Sequence, residues 1–191
     1  VRPKRYQSYK GPEGKAAPNL LERKFSAAKP NQKWVTDVTQ FNVLGHKVYL
    51  SPVLDLYNQE IISYEIADRP QMNMVMQMLN KAFKRLQPKD KLMLHSDQGW
   101  HYRIAPYQQM LKQKGITQSM SRKGNCLDNA VMENWFGMMK TEFFYQEKFE
   151  SVQAFKTGLH EYIHYYNHDR IKQKLKGLSP VQYRTQSLLV T

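Results

Sequence analysis

Three acidic residues stand in surroundings that ordinary surface charges avoid. Asp37 interrupts a run of β-branched and aromatic residues, Trp34-Val35-Thr36-Asp37-Val38-Thr39. Asp97 ends the apolar run Leu92-Met93-Leu94-His95-Ser96, and Glu133 falls among Val131, Met132, Trp135 and Phe136. Carboxylates are seldom buried without a chemical reason, so each is expected against apolar walls rather than in open solvent. Three of them brought together repel and raise one another's pKa unless a divalent cation is bound. Hard oxygen ligands without thiolates favour Mg²⁺ or Mn²⁺ over zinc. Two such ions about 3.5–4 Å apart can activate an attacking oxygen and stabilise the leaving one in a displacement at phosphorus. The one cysteine, Cys126, can make neither an internal disulfide nor a cysteine-rich zinc cluster.

The elements that must bring these residues together follow from hydrophobic period. Residues 34–41, 47–55 and 61–66 read as strands separated by turn-length gaps, a three-stranded antiparallel meander. Met72, Val75, Met76, Leu79, Ala82 and Phe83 recur at helical spacing, with the methionines as core filling. Residues 92–96 and 116–120 read as short strands on either side of a helix over 104–114 closed by Gly115. Strands separated by helices imply parallel crossovers, so the fold class is α/β, a five-stranded mixed sheet flanked by helices. If the first and fourth strands are neighbours, Asp37 and Asp97 come side by side. A helix opened by Asp128 or Asn129 as cap and running toward Tyr145 then lowers Glu133 to both. The tail predicts a helix over 152–167 and a short one after Ser179-Pro180.

Twenty-nine Lys and Arg against sixteen Asp and Glu give 191 residues a net charge of +13, which points to a polyanionic partner. No stretch approaches the ~20 apolar residues of a spanning helix, and no signal-peptide pattern opens the chain. The expectation is a soluble, intracellular protein that binds nucleic acid, with no membrane partner. Residues 1–33 hold nine Lys or Arg and two Glu, with four prolines and two glycines. Residues 1–30 therefore read as a basic arm or linker, a solvated tether or a DNA-contacting one. A first residue that is Val rather than Met is expected of a piece of a longer protein.

The runs 31–39, 95–99 and 119–130, followed by Glu133, Phe136 and Lys140, resemble the catalytic domain of bacterial insertion-sequence transposases of the retroviral-integrase type, the DDE group. The resemblance implies a ribonuclease H-like fold with a helical C-terminal extension: a catalytic domain over 31–191, its core 31–147 and its C-terminal helices 148–191. It implies Asp37, Asp97 and Glu133 as a triad holding Mg²⁺ or Mn²⁺, two ions in number, with no small-molecule cofactor. The activity implied is DNA cleavage and strand transfer at the ends of a mobile element, by a homo-oligomer on DNA in the bacterial cytoplasm and nucleoid. Water and a DNA 3′-hydroxyl would be the nucleophiles. Lys140, two turns after Glu133 on nearly the same face, is implied to hold a phosphate beside the metals. Arg122 and Lys123 form a phosphate clamp or a mobile loop, Asn125 matches the pattern, and Asn129 is a DNA contact or only a cap. The ending around Tyr165, Tyr166, Asn167, Arg170 and Pro180 is also similar, although Lys172 stands where many members have His. The helix-turn-helix region usual in the family would lie upstream of Val1.

One motif competes. His160-Glu161-Tyr162-Ile163-His164 fits the zinc-protease pattern H-E-x-x-H. No Glu follows to act as a third ligand and the longer motif's Gly is absent, so the expectation is a helix packed through Leu159, Tyr162, Ile163 and Tyr166. The alternatives to a transposase are a catalytically inactive DNA-binding relative, acting as repressor or assembly subunit, and a nuclease on the same fold.

Overall fold

A computed structural model describes residues 14–189. Its strands are β1 (Lys33–Thr36), β2 (Thr39–Val43), β3 (His46–Asp55), β4 (Ile61–Ala67), β5 (Met93–Ser96) and β6 (Thr117–Met120). The helices are α1 (Met72–Phe83), α2 (Trp100–Arg103), α3 (Ala105–Gln113), α4 (Ala130–Met139), α5 (Val152–His168) and α6 (Pro180–Leu189). The meander is antiparallel as expected, and β5 runs parallel to both β1 and β6. The expected first strand is broken. β1 and β2 lie end to end along one edge of β3, with Asp37 and Val38 between them. There the Asp37 carboxylate accepts from the Val38 N–H at 2.7 Å, so a backbone donor is spent on a side chain rather than on a ladder. Five expected strands thereby become six, ordered β2-β3-β1-β5-β6 with β4 on the other edge of β3.

Alternation along the strands divides the core between the two faces of the sheet. Val35, Leu50 and Leu54 pack with Met132, Trp135, Phe136 and Met139 of α4 and Phe155, Leu159 and Ile163 of α5. On the opposite face Trp34, Val53 and Leu94 meet Val75, Met78 and Leu79 of α1 and Tyr107 and Leu111 of α3. Each such side chain, taken fully out of water, contributes about 1.5–3 kcal/mol. Helix ends follow the sequence in part. Ser151 accepts from Ala154 N–H at the start of α5, and Ser179 with Gln182 forms a reciprocal capping box at α6. Gly115, at φ 66°, ends α3 as expected. The helix after residue 129 is α-helical only to Met139 and continues as one π-helical turn, Lys140–Phe144.

Residues 14–30, part of the expected arm, carry no helix or strand, and several of them hydrogen-bond the core. The backbone N–H groups of Leu20 and Leu21 donate to the Ser119 hydroxyl at 2.9 and 3.1 Å, and Leu21 is buried in the core. The part of the expected arm in residues 1–13 lies outside the described residues. At the other end, Arg184 of α6 reaches Asp55, Glu60 and Asn31, which fastens the C-terminal helix to the sheet.

One close approach yields a prediction. A Cβ at Gly158 of α5 would stand 2.9 Å from Phe143, whose ring is held by stacking on Phe155 and Tyr162. Alanine gains about 0.5–1 kcal/mol of helix propensity, and overpacking costs about 1–3 kcal/mol, so the clash wins. Gly158→Ala is expected to lower the thermal midpoint by a few degrees; an unchanged or raised midpoint in a melting curve would sink this reading.

Candidate active site

The chain places Asp37 and Asp97 at the ends of neighbouring parallel strands. The β1–β5 register pairs Trp34 with Leu94 and Val35 with His95; carried two residues on, it sets Asp37 opposite Asp97. The polypeptide then fixes each carboxylate by one oxygen. Asp37 Oδ1 accepts from Val38 N–H, and Asp97 Oδ1 accepts from Gly99 N–H at 2.8 Å. Their Oδ2 atoms have no hydrogen-bond partner among the described residues. A Cβ on Gly99 would come within 2.9 Å of Asp97 Oδ1, so the residue after Gln98 must be small. Burial pushes the Asp37 carboxyl up to about 7, aided by the charge of Asp97 and, less, of Glu133. Burial raises Asp97 as well, against the pull of the Gly99 N–H and of His101. This pair holds more negative charge than its surroundings compensate.

A cleft of about 460 Å³ opens over the pair. Its walls include Asp37, Asp97, Glu133, Asn129, Asn125, Arg122, Lys123 and Gln98. Seven of the eight site residues expected from sequence therefore line one cavity, and Lys140 does not. Its ammonium lies over the Phe41 ring at 5.5 Å, where burial lowers its pKa. Glu133 corrects an expectation: it is exposed, on the rim, rather than walled by apolar groups. The apolar neighbours Met132, Trp135, Phe136 and Met139 form the buried stripe of α4, and position 133 falls outside it. Asn129 corrects another. Its side chain caps nothing; it is buried and donates to the Thr36 carbonyl at 3.2 Å, which pins the start of α4 to the end of β1 beside Asp37.

Asp128 is the residue that sequence reasoning undervalued. It is no cap either. Its buried carboxylate accepts from the Arg122 N–H and guanidinium at 2.8–2.9 Å, from Arg23 at 2.9 Å and from Asn19 at 3.0 Å. Arg122, first among these, holds the Asp128 carboxyl well below the usual range. Arg23 also donates to Asn125 Oδ1 at 3.0 Å. The loop over the acidic pair is thus clamped from within and from residues 19–23, so Arg122 is partly engaged while Lys123 is exposed and without an ion pair among the described residues. Beneath it His95 is buried between Ser119 Oγ and Ser121 Oγ, its pKa pushed down to about 4 by burial, so it is neutral near pH 7. The Gln98 amide donates to the Ser121 carbonyl at 3.1 Å and ties the end of β5 to the same loop. The run His95-Ser96-Asp97-Gln98-Gly99 held that signal, but its partners were unreadable.

The fit to a metal can be tested on the donors themselves. Two fixed carboxylates with open Oδ2 atoms, one titrating near neutrality, suit hard divalent cations. Among the described residues, however, no three His, Cys, Asp or Glu side chains are gathered closely enough to hold an ion, so Glu133 stands off from the pair. The helix that carries the H-E-x-x-H pattern has its histidines otherwise engaged. His160 Nδ1 bonds the Tyr64 hydroxyl at 2.7 Å, the His164 and His168 rings stack on each other, and the helix is buried through Leu159, Tyr162, Ile163 and Tyr166 as expected. No helix among the described residues is long and apolar enough to cross a membrane.

This sheet order, with an acidic pair at the ends of β1 and β5, is a ribonuclease H-like core of the integrase kind. The integrase catalytic core domain of HTLV-2, solved in complex with magnesium, superposes with a TM-score of 0.68 at 16% identity, over 83% of this chain and 99% of that one. The catalytic core of BIV integrase gives 0.63 at 19% identity, over 84% and 97%. Family models described as integrase core domain match residues 27–126 and 133–188. The putative transposase InsK for insertion sequence element IS150 of Escherichia coli (strain K12) is 57% identical over 189 residues, 99% of this chain and 67% of InsK. An uncharacterized transposase-like protein of Haemophilus influenzae is 53% identical over 96% of this chain and 85% of its own length. The chain belongs to the integrase-core family, among the transposases of bacterial insertion sequences.

Proposed function

We propose that this chain is the catalytic part of an insertion-sequence transposase, a polynucleotidyl transferase that cuts DNA at the element's ends and joins the freed 3′ ends to a second DNA. The observation that carries it is the juxtaposed, up-shifted pair Asp37 and Asp97 beneath a cleft that also presents Glu133. Asp37 and Asp97 would hold Mg²⁺ or Mn²⁺ by their open oxygens, with Glu133 turning inward from the rim as the third ligand. When bound, two such ions supply activation of the attacking oxygen and stabilisation of the leaving one. The chain's own groups do the rest. Lys123 and the outer face of Arg122 hold backbone phosphates over the pair, and Asn125 and Asn129 shape the wall between them. Lys140 has no carboxylate partner among the described residues, which leaves its ammonium for a phosphate on the Glu133 side. None of the tyrosines is needed as a covalent nucleophile. The reaction pairs two element ends, so the working species is a homo-oligomer on DNA, in the cytoplasm at the nucleoid.

A strand-joining assay with element-end duplex, Mg²⁺ and a second DNA tests this, with the chain carried in its full-length protein. The expected product is a 3′ end covalently joined to target DNA. Binding without cutting would instead indicate an inactive relative, and cutting without joining a nuclease.

A further inference from the structure

Beside the acidic cleft, on the far flank of α4, a second cavity of about 440 Å³ runs between the helix and the segment after α5. Its walls include Asn134, Trp135 and Met138 of α4, and Arg170, Lys172 and Lys174. Val131, also in this wall, sits between Asn129 and Glu133 of the cleft, so the two cavities share one turn of helix.

The cations here are unevenly matched. Arg170 is engaged by Glu142 through two nitrogens at 2.5–3.2 Å. The Lys172 ammonium is half-buried and, among the described residues, hydrogen-bonds only neutral groups, Gln59 Oε1 at 2.5 Å and the Tyr166 hydroxyl at 2.8 Å, and lies 4.7 Å above the Tyr166 ring. Burial first, and then the neighbouring Arg170, push it down to about 8 against the opposing charge of Glu142. Lys174 is exposed, and neither lysine has a carboxylate partner among the described residues. Among the described residues the one carboxylate that acts on Lys172 is Glu142, which Arg170 already engages, so a partly desolvated cation beside two more cations is stabilised by a further anion. Trp135, whose indole N–H is buried without an acceptor among the described residues, walls the same cavity.

The ridge between the cavities is low. Glu133, Asn134 and Gly137 are the exposed residues of α4, and a Cβ at Gly137 would meet nothing within 4 Å. Glycine inside a helix is unfavourable, and no neighbour among the described residues requires it here. Its absent side chain leaves room for another backbone to pass close to the helix.

We propose that this groove is a second nucleic-acid contact: a DNA strand leaving the acidic cleft crosses α4 at Gly137 and seats a phosphodiester between Lys172 and Lys174. This rests on the transposase reading, from which it is separable by experiment. A duplex oligonucleotide is titrated by fluorescence anisotropy at several salt concentrations, and lysine acetylation is mapped with and without it. Lys174 and Lys123 are expected to be protected by DNA. Lys172→Gln and Lys174→Gln are each expected to weaken binding about threefold to tenfold and to flatten the salt dependence by about 0.9 in log–log slope. Lys174→Gln, at an exposed position, keeps the test valid should Lys172→Gln fail to fold. Gly137→Leu is expected to weaken binding as well. Protection of Lys123 without Lys174, with unchanged slopes, overturns the groove and leaves the transposase reading standing; absence of any DNA binding overturns both.

Discussion

Asp97→Asn is expected to lower strand cleavage and joining by at least about 10³-fold while the protein stays folded. Asparagine keeps an oxygen in place of Asp97 Oδ1, so the hydrogen bond from Gly99 N–H survives and the turn after β5 holds its shape. What is lost is the charge of a carboxylate whose other oxygen has no partner among the described residues. The loss of rate therefore reports on chemistry rather than on folding. Glu133→Gln on the exposed rim is expected to behave alike, and with less effect on stability. The measurement is the yield of joined product per time in Mg²⁺, with circular dichroism of each variant as control. Activity within tenfold of the parent for folded Asp97→Asn would remove this residue from the chemistry.

The second large effect appears without metal. The Asp37 carboxyl is pushed up to about 7 in the folded chain, chiefly by burial and then by Asp97. Its ordinary value is about 3.9, so ionisation costs more in the folded state than in the unfolded one. The cost is absent below about pH 4, grows as pH rises to about 7, and is fully present above that. Asp37→Asn removes it. In chelator the variant is expected to be more stable than the parent at pH 8, by on the order of 4 kcal/mol, and close to it at pH 4. Asp128 acts in the opposite sense. Its carboxyl is held below the usual range by Arg122 first, so its contribution is present above about pH 4 and fades as pH falls further. Denaturant melts of parent and Asp37→Asn across pH 4–8 decide the matter. A stability difference that does not grow with pH would show that the Asp37 charge is not strained.

Much of this was legible because it is periodic or local. Alternation in 34–41, 47–55 and 61–66 identified the meander, and a helix between residues 96 and 116 required a parallel crossover from β5 to β6; the pairing of β1 with β5, which sets Asp37 beside Asp97, is a non-local contact that entered only as a condition. Three features were not legible, each for a physical reason. The break at Asp37-Val38 depends on a carboxylate bonding the next residue's N–H, which no propensity encodes. The exposure of Glu133 was hidden by composition: apolar neighbours surround it in sequence, yet the stripe 132, 135, 136, 139 leaves it outside, and helical phase rather than neighbourhood would have revealed this. Asp128 looked like a helix cap because its partners Arg23 and Asn19 lie about a hundred residues away. Within the stretch 1–30, read as a solvated tether or a DNA-contacting arm, Leu20, Leu21 and Arg23 hydrogen-bond Ser119 and Asp128 without any regular structure to announce them.

The central claim is that Asp37, Asp97 and Glu133 together hold divalent metal. Calorimetric titration of Mn²⁺ into the parent chain and into Asp37→Asn, Asp97→Asn and Glu133→Gln tests it most directly, without DNA or turnover. Saturable binding in the parent, lost in both aspartate variants and weakened in Glu133→Gln, is the expected result. Equal binding in parent and Asp37→Asn would contradict the account.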